Sequence, residues 1–316
     1  MLAPYLMSEP RPKAENPTVE QVSAMISLLG DDPGPLQESA RARLLAWGER
    51  AVEQLRDGAE AEHLPTRARC RALLRAIEVR GVVTNFAALR TDRVGPRSAS
   101  DLLEGALGAA RMVRTFVPPT RRLEATLRRE AAELRRACAG KSLPACARLL
   151  AERLHGQLGL RGCDAEQLDV EKQLLVDEVF EGDEVSRELV DRLLVDRVLA
   201  TKEGAPIALS LVYLVVARWA GLTAVGVALP DHFLVRLHGP RPLLVDPFHG
   251  GRVVTKSDCV RYLRSRGYER PRDHLRDLND REVLQHYLQN VTAACGRAPA
   301  ETRAALRDAL ELLSAR

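Results

Sequence analysis

The sequence predicts an α+β fold, in which a helical N-terminal scaffold precedes one buried helix, a small antiparallel sheet and closing C-terminal helices. Ala, Leu, Arg and Glu dominate the composition, and up to about residue 160 the apolar residues recur at helical spacing. Nearly every residue from 207 to 217 is apolar, which is typical of a helix buried on all sides. Three short apolar runs then predict strands, at 223–229, 232–237 and 243–246.

The composition limits the classes of partner. The 316 residues allow one large domain or two to three small ones, and 46% of them are hydrophobic, which supports a real core. The net charge of +4 comes from 47 basic and 43 acidic residues, so the surface is mixed and not a nucleic-acid footprint. No segment approaches the roughly 20 apolar residues of a membrane helix. We therefore expect neither a nucleic-acid nor a membrane partner.

The N-terminus and the cysteines indicate a cytoplasmic protein. Residues 1–17 are rich in Pro and have no long apolar run, so they predict a disordered lead and not a signal peptide. The six cysteines are scattered and form no C-x-x-C pair, which favours reduced thiols. Because no two cysteines have metal-ligand spacing, we expect no metal and no cofactor.

Residues 18–97 predict short helical hairpins. Thr18 and Gln21 have the spacing of a capping box, which begins the first helix. The runs at 42–45 and 71–74 echo each other about one helical repeat apart, which favours a short HEAT-like stack. Ordinary amphipathic helices explain the same pattern equally well, so both interpretations stay open.

A second helical block covers residues 98–160. Pro118 and Pro119 interrupt it, and Gly159 and Gly162 end it. The buried helix then begins at Pro206, because proline at the first helical position loses no hydrogen bond. Further helices are predicted at 256–267 and 280–315.

His232 opens the second predicted strand and Asp246 closes the third. A hairpin loop of three or five residues places the two side chains on the same face of the sheet, whereas two or four residues place them on opposite faces. If they pair, the carboxylate fixes the tautomer of the imidazole, and the other ring nitrogen is available as a base or acid.

The stretch from Glu203 to Gly251 resembles the transglutaminase-like core, in its SirB-type bacterial branch. Weaker similarity extends over residues 100–295, and helices like those at 20–80 precede the core in some members. The resemblance implies a papain-like fold, with a domain over 98–316 and its core at 198–255. The matching runs are Gly204 to Ser210, Tyr213, Ala217 to Arg218, Gly221 to Leu222, Gly226 to Val227, Pro230, His232 to Arg236, Asp246 to Phe248, and Gly250 to Gly251.

The resemblance also implies a missing nucleophile. Active members carry a Cys at the N-terminus of the core helix, where it completes a Cys-His-Asp triad for acyl transfer. Here that position falls between Ala205 and Ala208, and it holds no cysteine. Two further departures are Asp231, where the family usually has Gly, and Asp196, in place of an asparagine.

His232 and Asp246 are the candidate catalytic pair, although the same pair can simply tether two strands. Ser210 and Cys163 are weaker candidates for a substitute nucleophile. His249 is interpreted as a residue at the rim of the site. A zinc site from the three histidines at 232, 238 and 249 is not expected, because the strand pattern does not bring them together.

Three functions remain after these observations. The first is a cytosolic transglutaminase-like protein without the usual nucleophile, which acts as a binding or regulatory module for a protein or peptide partner that the sequence does not identify. The second is an acyl-transfer or hydrolytic enzyme of Cys-His-Asp type with a displaced nucleophile. The third is a helical-repeat adaptor in which the core only packs.

Overall fold

The computed structural model describes residues 16–89, 95–164 and 183–315. The chain divides into two compact units, residues 1–81 and 82–316. The lead predicted at 1–17 lies almost entirely outside the described residues. The domain boundary that the sequence predicts between residues 97 and 98 stays a prediction.

The first unit is helical. The predicted capping box is present at its start, because the Thr18 hydroxyl accepts a bond from the backbone N–H of Gln21 while the Gln21 side chain accepts one from Thr18. The apolar faces enclose a core that includes Leu44, Leu55 and Cys70. The HEAT-like interpretation stays a prediction. The helices that begin in this unit are α1 (Val19–Leu28), α2 (Pro35–Trp47), α3 (Val52–Gly58) and α4 (Leu64–Phe86), with a 3₁₀ turn at Gly48–Ala51. Helix α4 continues past residue 81, where the unit ends.

Within the described residues, six helices of the second unit precede its main sheet. They are α5 (Pro96–Val113), α6 (Thr120–Cys138), α7 (Leu143–Ala151), α8 (Asp183–Leu193), α9 (Val195–Thr201) and α10 (Pro206–Trp219). Helix α7 continues into a π-helical turn at Glu152–Gln157. A short parallel pair joins β1 (Arg161–Gly162) to β2 (Glu203–Gly204), directly before α10.

The main sheet has four antiparallel strands in sequence order. The three predicted strands are confirmed within one residue, and a short fourth strand, which the sequence did not predict, extends the sheet. The strands are β3 (Ala224–Leu229), β4 (His232–Leu237), β5 (Leu243–Asp246) and β6 (Arg252–Val254).

The loop between β4 and β5 has five residues, 238–242, and it pairs Val235 with Val245. This is one of the two loop lengths that place His232 and Asp246 on the same face. Extending the register sets Asp246 opposite Leu234, so His232 stands two residues farther along that face.

The sheet lies between two helices. Every residue of α10 is buried, as the sequence predicts, and the helix packs against β4 on one face of the sheet. Strand residues Val227, Leu234 and Leu244 face the other side, where they pack against Cys259 and Leu263. These two residues belong to α11 (Lys256–Ser265).

The C-terminal segment confirms the predicted helical character but is interrupted. It consists of α12 (Asp280–Ala294) and α13 (Ala300–Ser314), where the sequence predicted one helical stretch over 280–315. Gly296 and Pro299 lie in the break, and neither favours a helix interior. A 3₁₀ turn at Pro271–Leu275 precedes α12. Among the described helices, none combines the length and the apolar character needed to span a bilayer.

A buried ion pair joins α10 to α12. The Arg218 guanidinium lies 2.7 Å from an Asp280 carboxylate oxygen, and the two side chains are 0% and 1% exposed. The Arg218 Nε also donates to the carbonyl of Ala224 on β3 at 2.8 Å. Burial raises the pKa of Asp280, while the Arg218 charge offsets part of that rise. The pair therefore ties the helix, the sheet and the C-terminal segment together.

Replacing Asp280 with alanine should destabilise the second unit by about 3–5 kcal/mol, because it leaves the buried Arg218 charge without its partner. The measurement is urea unfolding followed by the fluorescence of Trp219, in a Trp47→Phe background that removes the signal of the first unit. Asp273→Ala, at an exposed position, is the control and should change the stability by less than about 0.5 kcal/mol. Equal urea midpoints for Asp280→Ala and Asp273→Ala would show that the Arg218–Asp280 pair does not stabilise the second unit.

Candidate functional site

His232 and Asp246 meet at the open end of the sheet. The Nε2 atom of His232 lies 3.0 Å from Oδ1 of Asp246. His232 is the first residue of β4 and Asp246 the last residue of β5, so regular backbone pairing fixes the position of both Cα atoms. The structure thus brings together the two residues that the sequence selected first.

The charge state of Asp246 sets the tautomer of His232. Burial by itself would raise the pKa of Asp246, but the hydrogen bond and charge of His232, together with His249, outweigh it and lower the pKa to about 2. An ionised carboxylate can only accept hydrogen bonds, so the Nε2 of His232 must donate. In the neutral imidazole Nδ1 is then the acceptor nitrogen.

His249 is a second imidazole on the same carboxylate. Its Nδ1 lies 2.7 Å from Oδ2 of Asp246, and its backbone N–H donates to Oδ1 at 3.2 Å. The sequence placed this residue only at the rim. A sequence signal for this contact does exist. His249 follows Asp246, the last residue of a strand, by three residues, and a tight turn at such a position brings the chain back to the Asp246 side chain.

The turn that carries His249 depends on two glycines. Gly250 and Gly251 have φ angles of +73° and +72°, in the left-handed region where other residues are strained. The Gly251 N–H donates to the Asp246 carbonyl at 2.9 Å, which closes the turn. Next in the chain, Arg252 places Nη2 3.4 Å from Oδ2 of Asp246. One carboxylate therefore faces two imidazoles and a guanidinium.

Two cavities flank the His–Asp pair. The larger has a volume of about 620 Å³ and the smaller about 280 Å³. Pro206, at the N-terminus of α10, and His232 line both cavities. The helix start to which the resemblance assigns a nucleophile therefore lies beside His232, but it presents Ala205, Pro206 and Ile207.

The walls of the larger cavity are mostly apolar, with a few polar groups. Leu189 and Leu193 of α8 contribute apolar surface, while His286 and Asn290 of α12 contribute polar atoms. Burial lowers the pKa of His286, and the nearby Arg276 charge lowers it further, which favours the neutral imidazole. A largely apolar cavity with few polar groups is typical of a site for a small or peptidic ligand.

The two departures from the family pattern have distinct structural settings. Asp231 forms the β3–β4 turn together with Pro230, and it adopts φ +58°, a conformation that glycine adopts more easily. Asp196 is buried on α9 and forms an ion pair with Arg114. Burial raises the pKa of Asp196, and the Arg114 charge opposes that rise.

The two weaker candidates lie away from the cavities. Ser210 is fully buried, and its hydroxyl donates to the Phe233 carbonyl at 3.2 Å, which anchors α10 to β4. Cys163 is also buried, and its backbone N–H donates to the Gly204 carbonyl at 3.2 Å. Neither residue is among the described residues that line either cavity.

Cys259, which the sequence did not select, lies closer to the pair. It is the only cysteine among the described residues that line the two cavities, and it lines the smaller one. Burial raises the pKa of its thiol, and the negative charges of Asp258 and Asp246 raise it further. The thiol is therefore protonated at neutral pH, which is the opposite of an activated nucleophile.

Two of the three histidines considered together in the sequence come close in space. The rings of His232 and His249 have centroids 5.5 Å apart. His238 is separate, because its Nε2 bonds to Asp277 at 2.9 Å.

Comparisons with known proteins identify the family. A family model described as the transglutaminase-like superfamily matches residues 121–289, just over half of the chain and all four strands of the sheet. The chain belongs to the transglutaminase-like superfamily. This assignment agrees with the mixed helical and sheet architecture, and the match includes both His232 and Asp246.

Two curated relatives share part of the sequence. A "UPF0162 protein" of Xylella fastidiosa strain Temecula1 / ATCC 700964 is 33% identical over 117 residues, which cover 35% of this chain and 42% of the relative. A protein of the same name from strain 9a5c is 35% identical over 103 residues, which cover 30% and 37%. The match therefore spans less than half the length of each relative. No solved structure matches the chain significantly.

The lowered pKa of Asp246 predicts a pH-dependent contribution to stability. A carboxyl whose folded-state pKa is about 2, against an ordinary 3.8, stabilises the fold above about pH 4, and this contribution is lost as the pH falls through 2. At pH 7 Asp246→Asn should therefore lower the free energy of unfolding by about 2 kcal/mol. The difference in the free energy of unfolding between the native protein and this variant should decrease toward zero as the pH falls from 4 to 2.

Urea unfolding at a series of pH values measures this difference. Asp273→Asn, at an exposed position, is the matched control and should follow the native curve throughout. If the difference in unfolding free energy between the native protein and Asp246→Asn stays constant from pH 7 to pH 2, the charge of Asp246 is not what stabilises the fold.

Proposed function

We propose that this chain is a non-catalytic transglutaminase-like binding module, whose larger cavity holds a peptide or small ligand between the start of α10 and His232. The observation that carries the proposal is the composition of that helix start. Ala205, Pro206 and Ile207 stand where acyl transfer needs a thiol, while the His–Asp pair and the cavity are both present.

The size and lining of the cavity support this proposal. Its volume of about 620 Å³ falls within the range of about 300–1,000 Å³ that is usual for ligand sites. The first N–H groups of α10 have no partner within the helix, and Ala205 offers no side-chain cap. The ligand that fits is a short apolar segment with a carbonyl or carboxylate oxygen that accepts from these groups.

His232 supplies the complementary contact. Because the Nε2–H of His232 donates to Asp246, the Nδ1 of His232 is free to accept a hydrogen bond from an N–H or O–H of the ligand. A peptide offers both groups, since its carbonyl accepts and its N–H donates. The pair that acts as a base in active relatives therefore acts here as an oriented acceptor.

The finer family assignment is part of the same proposal. The runs around Gly204, His232 and Asp246 support the SirB-type branch, and we place the chain there. The helices of residues 18–80 then correspond to a HEAT-like region, whose separate core supports a role in holding a protein partner. We further propose that the module has a regulatory function in the cytoplasm.

Blocking the cavity should abolish peptide binding. Ala293 is exposed and lines the cavity, so Ala293→Trp fills it without disturbing the core. We expect a pool of fluorescein-labelled hexapeptides to bind the native protein and to lose affinity at least tenfold with this variant. His232→Ala should weaken binding by about 1 kcal/mol, the typical value of one hydrogen bond.

Fluorescence anisotropy measures the binding, and circular dichroism confirms that each variant is folded. His238→Ala is the matched control, because this histidine directly follows β4 but bonds to Asp277. Unchanged peptide affinity with both Ala293→Trp and His232→Ala would overturn the proposal.

One observation favours the alternative of a displaced nucleophile. Cys259 lines the same small cavity as His232 and Asp246, although it lies on α11 and not at the start of α10. The raised pKa of its thiol argues against nucleophilic attack, since the thiolate is the reactive form.

A thiol-reactive probe separates the two functions. In the native, folded protein we expect Cys259 to react with iodoacetamide at least about tenfold more slowly than glutathione at pH 7, because it is buried and protonated. Mass spectrometry of the digested protein identifies the labelled site, with Cys259→Ser as the control. Rapid labelling of Cys259 that disappears in His232→Ala would favour the enzyme.

A further inference from the structure

We infer that His232, Asp246 and His249 form a binding site for a divalent transition-metal ion of the zinc class. The three residues each offer a ligand atom, and these atoms lie within 4.8 Å of one another. They come from the start of β4, the end of β5 and the following turn. The sequence predicted no metal here, because the strand pattern was not expected to bring the histidines at 232, 238 and 249 together.

The set of donors suits zinc. Two imidazole nitrogens and one carboxylate oxygen are borderline ligands, which zinc and its neighbours in the first transition series prefer over magnesium or calcium. A tetrahedral zinc ion with ligand bonds of about 2.0–2.2 Å separates its ligand atoms by about 3.4 Å. His232 Nε2 lies 3.0 Å from Oδ1 of Asp246, and His249 Nδ1 lies 2.7 Å from the other oxygen, Oδ2. One ligand atom from each residue lies within 4.8 Å of the other two, so small side-chain rotations bring the three atoms to this spacing.

The site is held in place before any ion arrives. Asp246 is 2% exposed, and it accepts a bond from the backbone N–H of His249 at 3.2 Å. The closed turn through Gly251 fixes the backbone of His249, and the strand pairing fixes His232. The side chain of His249 is 46% exposed, so it can rotate toward an ion. A site whose ligands are already placed loses little conformational entropy on binding.

Coordination changes which nitrogens carry protons. At present the His232 Nε2 and the His249 Nδ1 both donate to Asp246. A metal ion takes the lone pairs of these two nitrogens, so each neutral ring keeps its single proton on the opposite nitrogen. His232 Nδ1 then becomes a donor. The ion therefore reverses the hydrogen bond that this nitrogen can make.

The fourth coordination position faces the smaller cavity, of about 280 Å³. This space holds a water molecule or an anionic group of a ligand. Arg252 and Arg266 on its wall favour an anion there, and Asp231 and Asp258 oppose it. Three protein ligands with one open position are the arrangement of reactive and ligand-binding zinc sites, as opposed to closed structural ones.

Arg252 competes with the metal ion for the Asp246 carboxylate. Its guanidinium lies 3.4 Å from Oδ2 of Asp246, while its side chain is 61% exposed. An exposed arginine can turn toward solvent at little cost, because surface ion pairs contribute at most about 1 kcal/mol. Removing its charge should therefore tighten metal binding several-fold.

Titration of the full chain with zinc chloride and with cobalt chloride tests the site, after treatment with a chelator and under a phosphine reductant. We expect one equivalent of zinc by calorimetry. Cobalt should give the visible bands of a tetrahedral ion without the near-ultraviolet charge-transfer band of a thiolate ligand. That spectrum distinguishes this site from binding to any of the six cysteines.

Matched variants assign the ligands. His249→Ala should weaken zinc binding more than about 100-fold, the upper end of what losing an outer-shell partner costs. His238→Ala should leave it unchanged, and Arg252→Ala should strengthen it. Because His249 is exposed, its variant should fold, which circular dichroism checks. A thiolate band with cobalt, no binding at micromolar zinc, or native affinity in His249→Ala would each overturn the inference.

This result is separable from the proposed binding function. Peptide binding measured with the chelator present does not involve the ion, so a failure of the zinc titration leaves the cavity proposal standing. Conversely, zinc binding that survives Ala293→Trp, the variant that fills the larger cavity, shows that the metal site does not depend on that cavity.

Discussion

The burial of α10 on every side is the constraint on which the second unit depends. All of its residues are buried, so each direction around the helix needs an apolar partner. The sheet covers one direction, while α5 and α6 cover others. The helix cannot slide or rotate without exposing apolar surface, so Pro206 is held at a fixed position beside His232. The geometry of the candidate site is thus a by-product of core packing.

Much of this fold follows from local sequence patterns. The continuous apolar run from 207 to 217 and the strand runs before Asp246 have clear periods, and they lie where they were predicted. Strand β6 was not predicted, because three residues with no alternation give no periodic signal. The break between α12 and α13 was also missed, since Gly296 and Pro299 are only two residues in a long helical pattern.

The candidate site was predictable only in part. His232 and Asp246 stand at strand ends, where the chain order and the resemblance single them out. Their contact depends on the length of the 238–242 loop. Sequence patterns do not determine whether this loop has an odd or an even number of residues, and that number decides which face each side chain occupies. His249 and Cys259 reach the same place through a glycine turn and through helix packing. Such tertiary contacts have no fixed spacing along a chain, so residue types alone do not reveal them.

The Arg218–Asp280 pair makes the C-terminal helix part of the same cooperative unit as the sheet. A guanidinium without exposure has no solvent to replace its partner, so the part of the second unit before residue 280 cannot settle into its native packing while α12 is absent. During synthesis this region therefore has to wait for α12 to leave the ribosome before the pair forms and the core closes. A fragment that ends after the last strand would therefore leave the Arg218 charge buried without its partner. The smallest complete domain has to include α12, which carries Asp280.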